Sequence, residues 1–317
     1  MRLGIDAMGG DYAPRAVVEG AVEASKLVSE GTTIVLYGDK QQIETIFSEF
    51  DGVPHNVEII ATSEVIEMKD HPTQAFQVKK DSSIVVGFTD LKMGKVDAFA
   101  SAGSTGAMMV GCMFVVKQIE GIIRPTIATT LPTTKKTEVL LLDVGLNIDC
   151  KPEVLQQYGL LGSIYAKAML DIENPRVGLV NIGEESTKGN AQTKATYDLM
   201  KDVQSYNFVG NVEPKTLFLG KYADVFVCDG FVGNLMLKQA ESMYTALTEL
   251  GLTEEDNCLM TGINYENTGG TPVLGVNGCV IVGHGCSTKK AIKNMILQTE
   301  KCVKSQFVSK IKEALKS

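Results

Sequence analysis

The chain is poor in the residues and spacings that mark several common chemistries. There are three histidines in 317 residues. His55 and His71 adjoin prolines in loop-like sequence, so a three-His metal site is not expected. The seven cysteines (112, 150, 228, 258, 279, 286, 302) are odd in number and contain no C-x-x-C. Neither a zinc site nor a disulfide framework follows, and reduced thiols point to the cytoplasm. A G-x-S-x-G elbow is missing, so a hydrolase triad is not indicated. No G-x-G-x-x-G or G-x-x-x-x-G-K-[ST] is present, which leaves nucleotide binding poorly supported. The opening MRLGIDAMGGD lacks the apolar core of a signal peptide. No metal and no cofactor are expected.

What remains is the composition of a folded protein. Apolar residues make up 44% and charged residues 21%, enough for a substantial core and too ordered a pattern for disorder. The length exceeds the usual single-domain size, so residues 1–317 read as one unit, either one large domain or two interlocked lobes around a cleft. The net charge of −8 argues against a nucleic-acid partner. Residues 287–317 run the other way, with eight lysines against two glutamates, and leave −14 on the other 286 residues. That basic region reads as one amphipathic C-terminal helix, or as a docking face for an acidic partner. An uncharged stretch, 98–116, is long enough to raise a membrane span, but Ser101, Gly103, Ser104, Thr105 and Gly106 interrupt it, and a buried strand–turn–helix is the better reading.

Apolar, β-branched runs recur at 2–7, 33–38, 57–62, 96–102, 138–145, 176–183, 223–230 and 279–285. Most are continuous, as expected for strands covered on both faces. Helical patterns lie between them, over 14–30, 152–171 and 287–316, the first two opening with proline. The order predicts an α/β protein with a largely parallel sheet. Ligands of such sheets collect at the carboxyl ends of the strands. Six strand exits here are glycine-rich and polar: DAMGGD (6–11), SAGSTGA (101–107), DVGLN (143–147), NIGEESTKGN (181–190), CDGFVGN (228–234) and HGC (284–286).

Each exit has a chemical and a structural reading. In SAGSTGA, Gly103 and Gly106 let backbone N–H groups approach an anion, and Ser101, Ser104 and Thr105 can donate hydroxyl hydrogen bonds. Alternatively, Ser104 or Thr105 simply caps a helix. Lys188 suits a phosphate or a developing oxyanion, or pairs with Glu184 or Glu185. Arg124, before Pro125, is either a bidentate phosphate contact or a surface ion pair. Asp6 and Asp11 flank the Gly9–Gly10 pair and could bind a metal, relay protons or hold cations, or Asp11 could simply cap the helix that follows. Asp143 with Asn147, and Asp229 and Gly230 with Asn234, form two further polar exits. His284 is the one histidine at a strand exit.

Taken together, DAMGGD, SAGSTGA, Arg124-Pro125, LDVGLN, NPRVGLVNIGEESTKGN, VCDGFVGN and the late HG pair resemble the bacterial PlsX-type acyl-ACP:phosphate acyltransferases, in the family's order from residue 1 to about 300. The resemblance implies a three-layer α/β/α fold similar to the isopropylmalate dehydrogenases and phosphotransacetylases, usually as a homodimer. It implies transfer of an acyl group from acyl carrier protein to inorganic phosphate, feeding phospholipid synthesis, by a cytosolic enzyme peripherally associated with the membrane. Three departures stand out. The family usually has Asn where Ser104 stands and Ala where Leu146 stands, and its helical hairpin is shorter here, over Met236 to Tyr265.

This chemistry asks little of a base. Phosphate is already an anion, and a thiol with a pKa of about 8.5 can leave as thiolate. The site must hold two reactants together and stabilise an oxyanion. The 101–107 turn, Lys188 and Arg124 would bind phosphate and oxyanion, His284 would move or share a proton, and Asp6, Asp11 and Asp229 would orient the cations. The C-terminal lysines and Lys79–Lys80 would meet the acidic carrier protein. The residues alone leave open a coenzyme A-dependent phosphotransacetylase, an NAD- and metal-dependent dehydrogenase on a similar fold, and a non-catalytic binder of acyl carrier protein.

Overall fold

A computed structural model describes residues 1–254 and 257–316. Among them are eleven strands: β1 Arg2–Asp6, β2 Thr33–Gly38, β3 Val57–Ala61, β4 Ala98–Ser101, β5 Thr126–Pro132, β6 Glu138–Leu142, β7 Arg176–Val180, β8 Asn207–Val212, β9 Val225–Val227, β10 Thr271–Leu274 and β11 Cys279–Val282. The eight runs predicted from sequence are all strands. The chain divides into two compact units, one of residues 1–119 and 265–308, the other of 120–264 and 309–317.

In the first unit the strands lie in the order β3-β2-β1-β4-β11-β10. All neighbours are parallel except β10 against β11. Strands covered on both faces need apolar residues at every position, and Leu3, Ile5, Ile34, Leu36, Ala98 and Phe99 are fully buried. The helix Ser83–Lys92 packs on one face, where Phe88 meets Phe99 with ring centroids 5.2 Å apart. On the other face, Gly283 leaves room for Met295, from the helix Lys289–Ser305, beside Ala102. Two helical layers therefore enclose the sheet.

The second unit has the order β5-β6-β9-β7-β8, with only β5–β6 antiparallel. The helix Pro152–Met169 lies along β6, β9 and β7. Its Gly162 is where Val225 and Leu142 come closest.

The predicted C-terminal helix is two helices. Lys289–Ser305 ends at Gln306, which adopts a left-handed φ of 54°, and Phe307–Ala314 follows. A left-handed residue is a standard helix stop, and Phe307 beyond it is buried. The first of these helices is amphipathic, with Ala291, Ile292, Met295 and Ile296 buried. Its lysines are less available than their number suggests. Lys289 and Lys293 pair with Glu23 of the helix Arg15–Ser25, at 3.9 and 3.7 Å, and Lys304 pairs with Glu300 at 3.2 Å. Lys79 is likewise held by Asp70 at 2.6 Å.

Candidate active site

Parallel neighbours end on the same edge of a sheet, so the topology sorts the six glycine-rich exits into two groups of three. In the first unit β1, β4 and β11 are adjacent and parallel, which sets 6–11, 101–107 and 283–286 side by side. In the second, β6, β9 and β7 are adjacent and parallel, and this aligns 143–147, 228–234 and 181–190.

The first group is built around a buried carboxylate. Ser101 Oγ donates to Asp6 Oδ2 at 2.6 Å and accepts from Gly103 N–H at 2.9 Å. Met8 N–H donates to Asp6 Oδ1 at 3.0 Å, and Ser83 and the Gly9 backbone lie close to this carboxylate. The two turns interlock at Gly9. A β-carbon there would lie 2.3 Å from Asp6 Oδ2 and 2.7 Å from Gly103 N. Gly10 has φ +109°, a region closed to most side chains, and Asp11 N–H reaches Gly285 O at 2.8 Å.

Ser101 is therefore committed to the protein, a correction to its reading as a ligand donor. Ser104 caps the helix Thr105–Val110, with its Oγ accepting from Ala107 N–H at 3.3 Å. Its own hydroxyl proton is unspent, as is the hydroxyl of the exposed Thr105. The N–H groups of Ser104, Thr105 and Gly106 have no partner among the described residues. Gly106 also admits Pro72, which a β-carbon would meet at 2.5 Å.

Burial pushes the Asp6 carboxyl above its ordinary 3.8, against the pull of its donors. The folded chain thus holds this proton more tightly than the unfolded chain does. Through the window from 3.8 up to the folded value the native state binds more protons, and stability falls as pH rises. Asp6→Asn is expected to gain on the wild type through that window and then stay level, read as the difference in Tm across a pH series. A pH-independent difference would show that Asp6 is not the titrating group.

In the second group the carboxylate is Asp143, also fully buried. Oδ1 accepts from Gly145 N–H (2.9 Å) and Leu146 N–H (2.8 Å). Oδ2 accepts from Asn147 N–H (2.9 Å) and Asn147 Nδ2 (2.8 Å). Asn147 Nδ2 also lies 2.7 Å from Pro125 O and 2.8 Å from Tyr158 Oη. The Asp143 carboxylate and the Asn147 amide nitrogen are thus used internally, and Asn147 Oδ1 is the one side-chain atom of the pair without a partner among the described residues. Asp229 caps the helix Gly230–Glu249 by accepting from Val232 N–H at 2.9 Å. Gly230 lies against the Asn147 backbone, with its N–H on Asn147 O at 2.7 Å.

The expectation that Asp6, Asp11 and Asp229 orient the cations is not met within either unit. Asp6 is met by hydroxyls and N–H groups, Asp229 caps a helix, and the exposed Asp11 carboxylate pairs with no cation among the described residues.

The two candidate cations of this unit, Lys188 and Arg124, make no ion pair among the described residues. Lys188 is exposed and makes no ion pair with Glu184 or Glu185, and Arg124 donates only to Asp149 O at 3.3 Å. The 181–190 loop that carries Lys188 is held by Asn181, whose Nδ2 donates to Asn211 Oδ1 at 3.1 Å and to Lys188 O at 3.2 Å. Asn190 then caps the helix Ala191–Met200. A cleft of about 610 Å³ opens between Ile148–Cys150, Asn190–Gln192, Asp229 and Phe231. Asn234 borders the Asp143 turn at Gly145, with an amide that has no hydrogen-bond partner among the described residues.

His284, at the end of β11, is exposed, and its Nδ1 is engaged by Cys286. Nε2 is the nitrogen left for a ligand. No described cluster of three or more His, Cys, Asp or Glu is placed to hold a metal ion. No described helix is long and apolar enough to cross a membrane.

Sequence reasoning missed the residues that position these loops: Ser83, Tyr158, Asn181, Asn190 and Asn211. Asn190 alone carried a local signal, as a polar residue opening a helix.

A family described as fatty acid synthesis protein matches residues 1–310. The chain is similar to proteins named phosphate acyltransferase. That of Dictyoglomus thermophilum is 42% identical over 331 residues, covering 99% of this chain and 98% of the relative. That of Desulfitobacterium hafniense is 44% identical over 335 residues, with the same coverage. Among solved structures, the EutD phosphotransacetylase from Staphylococcus aureus superposes with a TM-score of 0.65 at 14% identity, covering 96% of this chain and 94% of the other. A 4-hydroxythreonine-4-phosphate dehydrogenase from Salmonella typhimurium gives 0.56 at 14%, covering 95% and 99%. At these identities the structural likeness concerns the fold.

Proposed function

The chain belongs to the fatty acid synthesis protein family, and from that premise we propose that it transfers an acyl group from acyl carrier protein to inorganic phosphate. A phosphate oxygen attacks the thioester carbonyl, the C–S bond breaks, and acyl phosphate and the free thiol of the carrier protein leave. The product would feed phospholipid synthesis, and no metal or other cofactor takes part in this reading.

One observation carries the proposal: the unpartnered N–H groups of Ser104, Thr105 and Gly106, beside two free hydroxyls, at the end of β4. Such a turn suits the phosphate nucleophile or the oxyanion of the tetrahedral intermediate. His284 in its Nε2–H tautomer is a neutral donor for the same charge. Lys188 and Arg124 of the second unit, exposed and without an ion pair among the described residues, are the cations this reading assigns to phosphate. Positioning of two reactants is worth roughly 7–11 kcal/mol and one oxyanion donor about 2.7–4 kcal/mol. A site of fixed donors without a strong base is therefore sufficient.

Two further assignments accompany this reading. The helix Gly230–Glu249 buries only Gly230, Gly233 and Ala240 and exposes Phe231, Leu235 and Met243, which supports a homodimer. A cytoplasmic enzyme that touches the membrane peripherally fits a lipid-synthetic role.

The test is to incubate the protein with acylated carrier protein and phosphate and to trap acyl phosphate with hydroxylamine. Hydroxamate that depends on both is expected. Its absence from folded protein defeats the proposal, and equal use of acyl-coenzyme A would broaden the donor. Lys188→Ala is expected to lower kcat/KM by about 10–100-fold with little change in melting temperature, since the side chain is exposed and makes no hydrogen bond or ion pair among the described residues. Near-normal turnover would remove Lys188 from the site.

A further inference from the structure

The turn that follows β11 folds a cysteine back onto the histidine two residues before it. Cys286 Sγ lies 3.0 Å from His284 Nδ1, and the Cys286 N–H approaches the same nitrogen at 3.4 Å. A ring nitrogen that faces two donors is the unprotonated one, so the tautomer carries its proton on Nε2 and the thiol proton points at Nδ1. Tyr265 closes the other side. Its Oη is 3.1 Å from Sγ, and its ring lies over the imidazole with centroids 4.9 Å apart. A ring nitrogen on one side of the thiol and a hydroxyl on the other are placed to receive its proton and to hydrogen-bond the sulfur as it attacks.

Access separates this thiol from the five others whose burial is described. Cys112, Cys150, Cys228, Cys279 and Cys302 are buried, whereas Cys286 is half-buried. Burial pushes the Cys112 and Cys228 thiols up, so they stay protonated and inert. Cys286 therefore combines a base, a hydroxyl donor and a route to solvent.

We propose that Cys286 is a modification site that forms mixed disulfides with small soluble disulfides. The thiol proton passes to His284 Nδ1, and the thiolate attacks one sulfur of RS–SR. A Cys286–SR bond forms as the RS–SR bond breaks, and the departing RS⁻ takes the proton from the imidazolium. Cys286 is oxidised and one half of the reagent is reduced to RSH. Gly285, between the two residues, accepts from Asp11 N–H at 2.8 Å, so the adduct sits beside the 6–11 turn. On the acyltransferase reading above, it would block substrate there, and a thiol reductant would restore activity.

The native protein is treated with dithiobis(nitrobenzoate), and thiolate release is followed together with peptide mapping. Cys286 is expected to react at least about tenfold faster than the five buried thiols. Cys286→Ser should abolish that phase, and His284→Gln and Tyr265→Phe should each slow it, with melting temperatures showing that all three variants fold. A fast phase that persists in Cys286→Ser, or that neither neighbour variant slows, overturns the proposal. This labelling is read without turnover, so its failure is distinct from failure of the acyltransferase reading. In a second arm, treated wild type should lose hydroxamate formation and regain it with dithiothreitol, while Cys286→Ser should be unaffected. Labelled enzyme with full turnover overturns the blockade.

Discussion

Gly9→Ala is expected to lower phosphate-dependent hydroxamate formation by a factor on the order of 10³ while leaving the protein folded. The reason is local and steric. Gly9 is the point at which the turn after β1 touches the turn after β4, and a methyl group there would stand 2.3 Å from Asp6 Oδ2, 2.7 Å from Gly103 N and 2.8 Å from Ser101 Oγ. None of these can yield independently. Asp6 is fixed by Ser101 and Met8, and Ser101 is fixed by Asp6 and Gly103. The turns must separate, and the N–H groups of Ser104 to Gly106 move with Gly103. Overpacking of this kind costs about 1–3 kcal/mol of stability, which a chain of this size can absorb. Loss of even one oxyanion donor costs 10²–10³ in rate, by general experience of such sites, and here three are displaced together. Gly31→Ala is the control. That glycine has φ +78° with nothing within 4 Å of a β-carbon, so it should cost about 1 kcal/mol of backbone strain and no activity. If Gly9→Ala stays within threefold of wild type, the 101–107 turn does not hold the reacting anion.

Much of the framework could be read from the sequence, and the failures have physical causes. The eight predicted strands were continuous β-branched runs such as TIVLYG, which no other environment explains well. β5, β8 and β10 were missed because TIATTLP is half threonine and proline, NFVGNV carries Gly210 at φ +93°, and TPVL has a proline within four residues. Proline lacks the N–H a ladder needs, and these segments lose their pattern accordingly. The helix break at Gln306 follows from a left-handed backbone that the sequence does not announce with glycine. The exits were legible because glycine and polar residues cluster there. Which polar groups remain free was not, because that depends on partners distant in sequence. Ser101 is consumed by Asp6, 95 residues away, and Asn181 by Asn211, 30 residues away on an unforeseen strand. The same chemistry-bearing residue types thus divide into those that build the loops and those left for a ligand.

Asp143 is the sharpest case of that division. Asp143→Asn is expected to lower stability by about 3 kcal/mol, a Tm decrease of roughly 6–12 °C, with the KM for phosphate unchanged. The wild-type carboxylate receives two donors on each oxygen. An amide can replace only one oxygen, so whichever way it turns, its NH₂ faces two N–H donors. Two charge-assisted hydrogen bonds are lost, each worth about 1.5–3 kcal/mol. Part of that returns, because burial disfavours the charged form and holds this carboxyl above its ordinary 3.8. The net figure follows from these opposed effects. Because the turn it organises places Asn147 O on Gly230 N–H at 2.7 Å, the loss should also loosen the start of the helix Gly230–Glu249. Hydrogen exchange at Gly145, Leu146, Asn147 and Gly230 should rise together. The opposite result would be a KM for phosphate raised tenfold or more with an unchanged Tm and unchanged exchange. It would return Asp143 to the substrate-binding residues.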